Sequence, residues 1–243
     1  MAIAPDKTVF AADHSAGRVY RFTPGGRLMP AWEAEVGPLA MAPNGDIYAS
    51  TGRRIQRYDV SGNLRGEWGS YGTGEGEFRL PLDLSVGPDG TVYVLDSGFG
   101  GVQYFTPEGS FLGRWGPDGF KYGRYKNPRG IAAGPDGKVY VLENSAVGAN
   151  YRFDYFTATG SFLGSYDLPD NYSTAYGSGI AVASDGTVYI SDRGDERIHY
   201  YEPSRVFHVI RYVVFSVTVL IIAFLITLIA RRLLKRRKGT ATL

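Results

Sequence analysis

The chain has 243 residues, a formal net charge of +2 and no cysteine, which excludes disulfides, thiol nucleophiles and cysteine metal sites. Its 14% aromatic and 21% charged residues mark a globular chain rather than a disordered one. Six of the 26 basic residues lie in 231–243, which holds no acid; the remaining 20 face 24 acidic residues, a balance that disfavours phosphate neutralisation and hence nucleic-acid binding.

The opening MAIAPDKTVF shows no basic region followed by an apolar run, so no signal peptide is visible. It does contain a degenerate turn, Pro5-Asp6-Lys7, and that turn recurs as Pro43-Asn44-Gly45, Pro88-Asp89-Gly90, Pro135-Asp136-Gly137 and Ser184-Asp185-Gly186, at intervals of 38, 45, 47 and 49 residues. Each copy follows a short run of small and apolar residues and precedes an alternating strand: TVFAAD, DIYAST, TVYVLD, KVYVLE and TVYISD. A third strand follows in every copy, at 18–22, 54–58, 101–105, 152–156 and 197–201. In the first four copies a second turn leads to a fourth strand carrying Trp32, Trp68, Trp115 or Tyr166 in one register. Period-2 alternation between glycine-bearing turns predicts antiparallel strands, and four strands in each repeat of this length predict a propeller blade.

The segment 72–116, GTGEGEFRLPLDLSVGPDGTVYVLDSGFGGVQYFTPEGSFLGRWG, and the segment 128–143, PRGIAAGPDGKVYVLE, resemble the NHL repeat. The resemblance runs over 1–204 and implies an all-β propeller, here of about five blades with the last incomplete. In one column this chain departs from it: Ala4, Ala42, Gly87, Gly134 and Ala183 stand where that family often carries aspartate. NHL propellers commonly have six blades and include binding modules and a few lyases, so the resemblance alone does not assign a function. Met1 falls inside the first inner strand. A truncated N-terminus would account for both the missing outer strand and the missing signal peptide; a five-bladed ring with a three-stranded last blade is the alternative.

After the propeller, 205–238 reads as a membrane anchor and 239–243 as a short tail. Its core, 212–230, is uncharged and overwhelmingly apolar, and as a helix spans about 28 Å, close to the hydrocarbon thickness of a bilayer. Arg231, Arg232, Lys235, Arg236, Arg237 and Lys238 follow the span, against Arg205 and Arg211 before it. Such flanks predict a cytoplasmic tail, headgroup contacts and an extracytoplasmic propeller.

Catalytic and metal chemistry finds little support in the sequence. The histidines are His14, His199 and His208, and the innermost strands offer one ionisable residue, Asp83. No nucleophile motif, calcium loop or phosphate-binding loop is present, so no catalytic, metal or cofactor residue is assigned. Recurrent acid–arginine pairs across one turn (Asp13 with Arg18, Glu143 with Arg152, Asp192 with Arg197) read as loop-pinning contacts. The aromatic column of the fourth strands reads as packing between blades. Strand parity places the short turns on one face and the longer, variable loops on the other, where function concentrates. That face carries Tyr71, Tyr122, Arg124, Tyr125, Tyr172 and Tyr176, a composition suited to recognition, and Asn171 opens an N-glycosylation pattern.

Together these features predict a membrane-anchored, non-catalytic module that binds a protein or glycan partner. A membrane-tethered NHL-type lyase or lactonase and a structural subunit of a membrane complex are the alternatives.

Overall fold

The short turns are built by one local device. In each inner hairpin the residue after the Pro-Asp-Gly pattern pairs back to the small residue before it, as in Gly87 N donating to Thr91 O at 2.8 Å. The third turn residue takes a left-handed conformation, at φ 91° for Gly45, 87° for Gly90, 76° for Gly137 and 83° for Gly186. Glycine enters that region without steric penalty, whereas the first blade uses Lys7 there at φ 67°. An Asx side chain closes each turn, its oxygen accepting the N–H two residues on, from Thr8, Asp46, Thr91, Lys138 and Thr187.

The computed structural model describes residues 1–116, 128–144, 151–168, 179–192 and 197–202. They form a five-bladed β-propeller. The first blade is β1 (Ala2–Ile3), β2 (Val9–Asp13), β3 (Arg18–Phe22) and β4 (Leu28–Glu33); the second is β5 (Leu39–Met41), β6 (Ile47–Ser50), β7 (Ile55–Tyr58) and β8 (Leu64–Trp68). The link to the third blade holds a parallel pair, β9 (Ser70–Tyr71) with β10 (Glu77–Phe78). The third blade is β11 (Pro81–Val86), β12 (Val92–Asp96), β13 (Gly101–Phe105) and β14 (Phe111–Trp115). The fourth is β15 (Pro128–Ala133), β16 (Val139–Asn144), β17 (Tyr151–Phe156) and β18 (Phe162–Asp167); the fifth has β19 (Ile180–Val182), β20 (Val188–Asp192) and β21 (Arg197–Tyr201).

Met1–Tyr200 forms one compact unit, and of the second, Tyr201–Leu243, only the first two residues are described. The described residues contain no helix able to cross a membrane, and the span predicted at 212–230 lies outside them.

Blades are joined by the fourth-strand aromatics, as the sequence predicted. Trp32 packs on Tyr58 of the next blade, Trp68 on Phe105 and Trp115 on Phe156, at ring separations of 6.3, 5.8 and 6.1 Å. Each indole also lies flat over the turn glycine of that next blade. A Cβ added at Gly62, Gly109 or Gly160 would stand 2.5, 2.5 or 2.6 Å from the tryptophan ring. At the corresponding Gly26 of the first blade the space is open. Beneath the aromatics, Val19, Ile55, Val102 and Phe153 are all buried.

Buried polar side chains pin the interblade link of the third blade. Asp96, fully buried, accepts the backbone N–H groups of Arg79, Leu80, Gly98 and Phe99 at 2.7–3.2 Å. Gln103, also buried, takes the Gly76 N–H and donates to the Glu77 carbonyl. The fourth blade keeps acids in both columns, Glu143 and Asp154, and both ion-pair with Arg152. Burial pushes Glu143 up to about 7, against the neighbouring Arg152.

The expected pairing of Asp13 with Arg18 does not form, although the two are register partners. Asp13 closes its own loop by accepting the Ala16 N–H, and Arg18 reaches Glu33 on β4 instead. The side chain of Asp192 lies outside the described residues.

Candidate functional site

Innermost strands of a propeller present their free backbone edges to the axis. Parity fixes which groups those are. Gly87, Gly134 and Ala183 pair with the second strand, so the N–H groups of residues at odd spacing from them, including Ile131, Ala133, Ile180 and Val182, turn away from it. Unpaired N–H groups of this kind need acceptors or solvent.

In the third blade the sequence supplies two. The Asp83 Oδ2 accepts the Ile131 N–H of the next blade at 3.0 Å, and the Ser85 hydroxyl accepts the Ala133 N–H at 2.9 Å. Asp83 Oδ1 takes its own neighbour, Leu84 N–H, at 2.9 Å. A register irregularity between Pro81 and Asp83 re-aims the strand here, and a matching one lies between Pro128 and Gly130. Bulges of this type are common where a side chain is turned into a site.

Burial dominates the electrostatics of Asp83. It pushes the carboxyl from 3.8 up to about 6, against the two backbone hydrogen bonds and the nearby N-terminal ammonium. A carboxylate at that value exchanges protons near neutral pH.

One blade further on, the same inner-strand position is Gly130, which has no side chain to offer the Ile180 N–H. A point at Gly130's Cβ position lies 3.3 Å from Asp83 Oδ2, 3.5 Å from Ile180 N and 3.2 Å from Ile180 Cγ2. Gly130 is thus a shelf, with an acid–base group on one side and a backbone donor on the other.

Asp83 is the only carboxylate of the described inner strands; β15 also includes Arg129, a second ionisable residue beyond the one expected. A metal-assisted site needs three or more converging donors, and among the described residues no such group of His, Asp or Glu exists.

Of the recognition residues expected on the long-loop face, only Tyr71 is described. It is 57% exposed, with the Arg53 guanidinium 4.5 Å from its ring centre. Tyr122, Arg124, Tyr125, Tyr172, Tyr176, Asn171 and the basic residues from Arg231 to Lys238 lie outside the described residues, as do Ser204 and His208. His14 is exposed in the loop between β2 and β3, and His199 belongs to β21.

Sequence comparison finds no matching family model and no matching curated protein. Structural comparison does find propellers. A catalytically inactive histidine-to-alanine variant of virginiamycin B lyase from Staphylococcus aureus, with quinupristin, superposes with a TM-score of 0.56 at 20% identity, over 82% of this chain and 68% of that one. A gluconolactonase from Xanthomonas campestris gives 0.59 at 17% identity, over 83% and 74%. A putative 6-phosphogluconolactonase from Bacteroides uniformis gives 0.56 at 16%, over 82% and 64%. The chain spans about two thirds of the length of the lyase structures. At these identities the similarity establishes the propeller fold.

The comparison also corrects the expectation of a non-catalytic binding module. These three similar structures are named as lyase or lactonases, so the architecture gives no support to a purely scaffolding role. The physical error lay in treating a scarcity of metal-ligand side chains as a scarcity of chemistry. Among the described residues, the polar groups of the inner strands include backbone N–H groups and one half-buried carboxylate, Asp83.

Proposed function

We propose that this chain is a membrane-tethered, NHL-type propeller enzyme of the lyase and lactonase kind that opens a cyclic ester at the Gly130 shelf. The observation that carries the reading is the juxtaposition there of Asp83 Oδ2 and Ile180 N, each within 3.5 Å of the point where a side chain at Gly130 would begin. The substrate carbonyl oxygen takes the Ile180 N–H, which stabilises the negative charge that develops on it. Asp83, as carboxylate, accepts a proton from water as the water oxygen bonds to the carbonyl carbon. The ring C–O bond then breaks, and the proton held by Asp83 passes to the departing alkoxide. The sum is ester plus water giving one hydroxy acid, with Asp83 regenerated.

Five- and six-membered lactones, offered to the full-length chain in nanodiscs, test this by pH-stat titration with NMR of the product. Turnover to the hydroxy acid is expected. Gly130→Ala places a methyl on the shelf and is expected to lower kcat/KM by about 100-fold, the scale on which small misplacements act. Its melting temperature should change little. No turnover of any lactone, or a fully active Gly130→Ala enzyme, would refute the assignment.

The tether follows from the apolar run 212–230 and its basic flank. Full-length protein should stay with membranes through an alkaline carbonate wash, and protein ending at Ser204 should not. Equal release of both would remove the anchor from the proposal.

A further inference from the structure

The opposite end of the axis holds a second cavity, of about 500 Å³, on the short-turn face. Every blade contributes the same three consecutive positions to it. The innermost ring is Ile3, Met41, Val86, Ala133 and Val182; a ring of alanines and glycines follows, and then the prolines of the turns, with Ser184 in the fifth blade. No charged side chain lines it, and its size is that of a small-ligand pocket.

The next residue in each turn is acidic in four blades: Asp6, Asp89, Asp136 and Asp185, with Asn44 in the second. Two carboxylates demonstrably border the wall. A Cβ on the lining Gly87 would lie 2.8 Å from Asp89 Oδ1, and one on Gly134 would lie 2.8 Å from Asp136 Oδ1. Lys138 pairs with Asp136. Among the described residues Asp6, Asp89 and Asp185 have no cationic partner; their turns hold them with N–H and hydroxyl donors alone. Those donors lower Asp6 and Asp185 below the usual carboxylate range, which keeps both charged at neutral pH. A funnel of apolar side chains and backbone groups under an anionic rim complements one kind of small molecule.

We propose that this funnel is a binding site for an alkylammonium, its hydrocarbon seated against Met41 and Val86 and its cation held among the rim carboxylates. The site is separate from the Gly130 shelf and does not depend on the reaction proposed there.

Methionine-methyl NMR of the full-length chain in nanodiscs tests it, because Met41 lines the funnel while Met29 lies on β4 and serves as an internal control. Hexylammonium should shift the Met41 methyl saturably and leave Met29 unmoved. 1-Hexanol should bind at least tenfold more weakly, and hexanoate more weakly still. The triple variant Asp6→Asn, Asp89→Asn and Asp185→Asn keeps the Asx turns, as Asn44 already does, and should bring hexylammonium down to the affinity of hexanol. A Met41 signal unmoved by hexylammonium, hexanol or hexanoate matching it in wild type, or unchanged hexylammonium affinity in the triple variant would each overturn the proposal.

Discussion

Replacing Asp83 with asparagine is expected to abolish most turnover and to remove a decline in stability between about pH 4 and pH 6. The two effects share one cause. Asparagine cannot accept the proton from water, and loss of a positioned general base typically costs 10²- to 10⁴-fold in rate. In the wild type, activity should fall about tenfold per pH unit below about 6, where Asp83 is protonated. The sign for stability follows from the same shift. The folded carboxyl titrates near 6 and the ordinary one at 3.8, so the folded state binds more protons between those values. Stability therefore declines as pH rises from about 4 to about 6, and the deficit persists above it. The asparagine variant carries no such deficit. Against this, the asparagine amide has one acceptor oxygen for the two N–H groups that Asp83 serves, those of Ile131 and Leu84, so one of these hydrogen bonds is lost at every pH. Chemical denaturation at pH 4 and pH 7.5, beside kcat/KM, checks both halves. An Asp83→Asn enzyme that stays active, or one whose stability declines between pH 4 and pH 7.5 as much as that of wild type, would remove Asp83 from the role given to it.

The turn glycines beneath the tryptophans should show the largest stability losses. Gly109→Ala would push a methyl to within 2.5 Å of Trp68 and force alanine into φ 91°. Overpacking of this kind costs about 1–3 kcal/mol, and the left-handed backbone about 1 kcal/mol more. Gly62→Ala and Gly160→Ala meet Trp32 and Trp115 in the same way. Gly26→Ala carries the backbone strain, at φ 80°, with no atom within 4 Å of the new methyl. It should lose only about 1 kcal/mol. Urea denaturation of the four variants compares them directly, and equal losses at all four positions would show that turn conformation, not the aromatic cover, sets the cost.

Much of this architecture was legible because its signals are local. Turn chemistry, period-2 alternation and a repeating aromatic register each act within a few residues, so the strands and the Trp32, Trp68 and Trp115 contacts could be read from the chain. Pairings that depend on choice among partners were less legible. Arg18 had both Asp13 and Glu33 within reach, and nothing local said that Asp13 would be engaged by the Ala16 N–H. The axial site was missed for a related reason. Asp83 stood out as an acid in an apolar strand, but its meaning depends on Gly130 and on the Ile180 N–H, which lie in two later blades. A backbone N–H has no letter in the sequence, and a glycine inside a strand usually signals a bulge. The clue was a column reading Pro38, Asp83, Gly130 and Gly179, in which one blade supplies an acceptor and the next supplies empty space.

The forward contacts of the tryptophans bear on how such a protein changes over evolutionary time. Beyond its own blade each indole meets the following repeat, and the second, third and fourth repeats each offer a turn glycine and a third-strand aromatic to the one before. Duplication of one whole repeat would therefore arrive with its joints already complementary on both sides, as in other arrays held by nearest-neighbour interfaces. A loss of one repeat would rejoin equally well. The Asp83 and Gly130 pair has no such freedom, because it spans two particular consecutive blades. An inserted repeat between them would separate acid from shelf while leaving every aromatic joint intact. Copy number can thus drift at any boundary except the two on either side of the fourth blade, across which Gly130 meets Asp83 and Ile180.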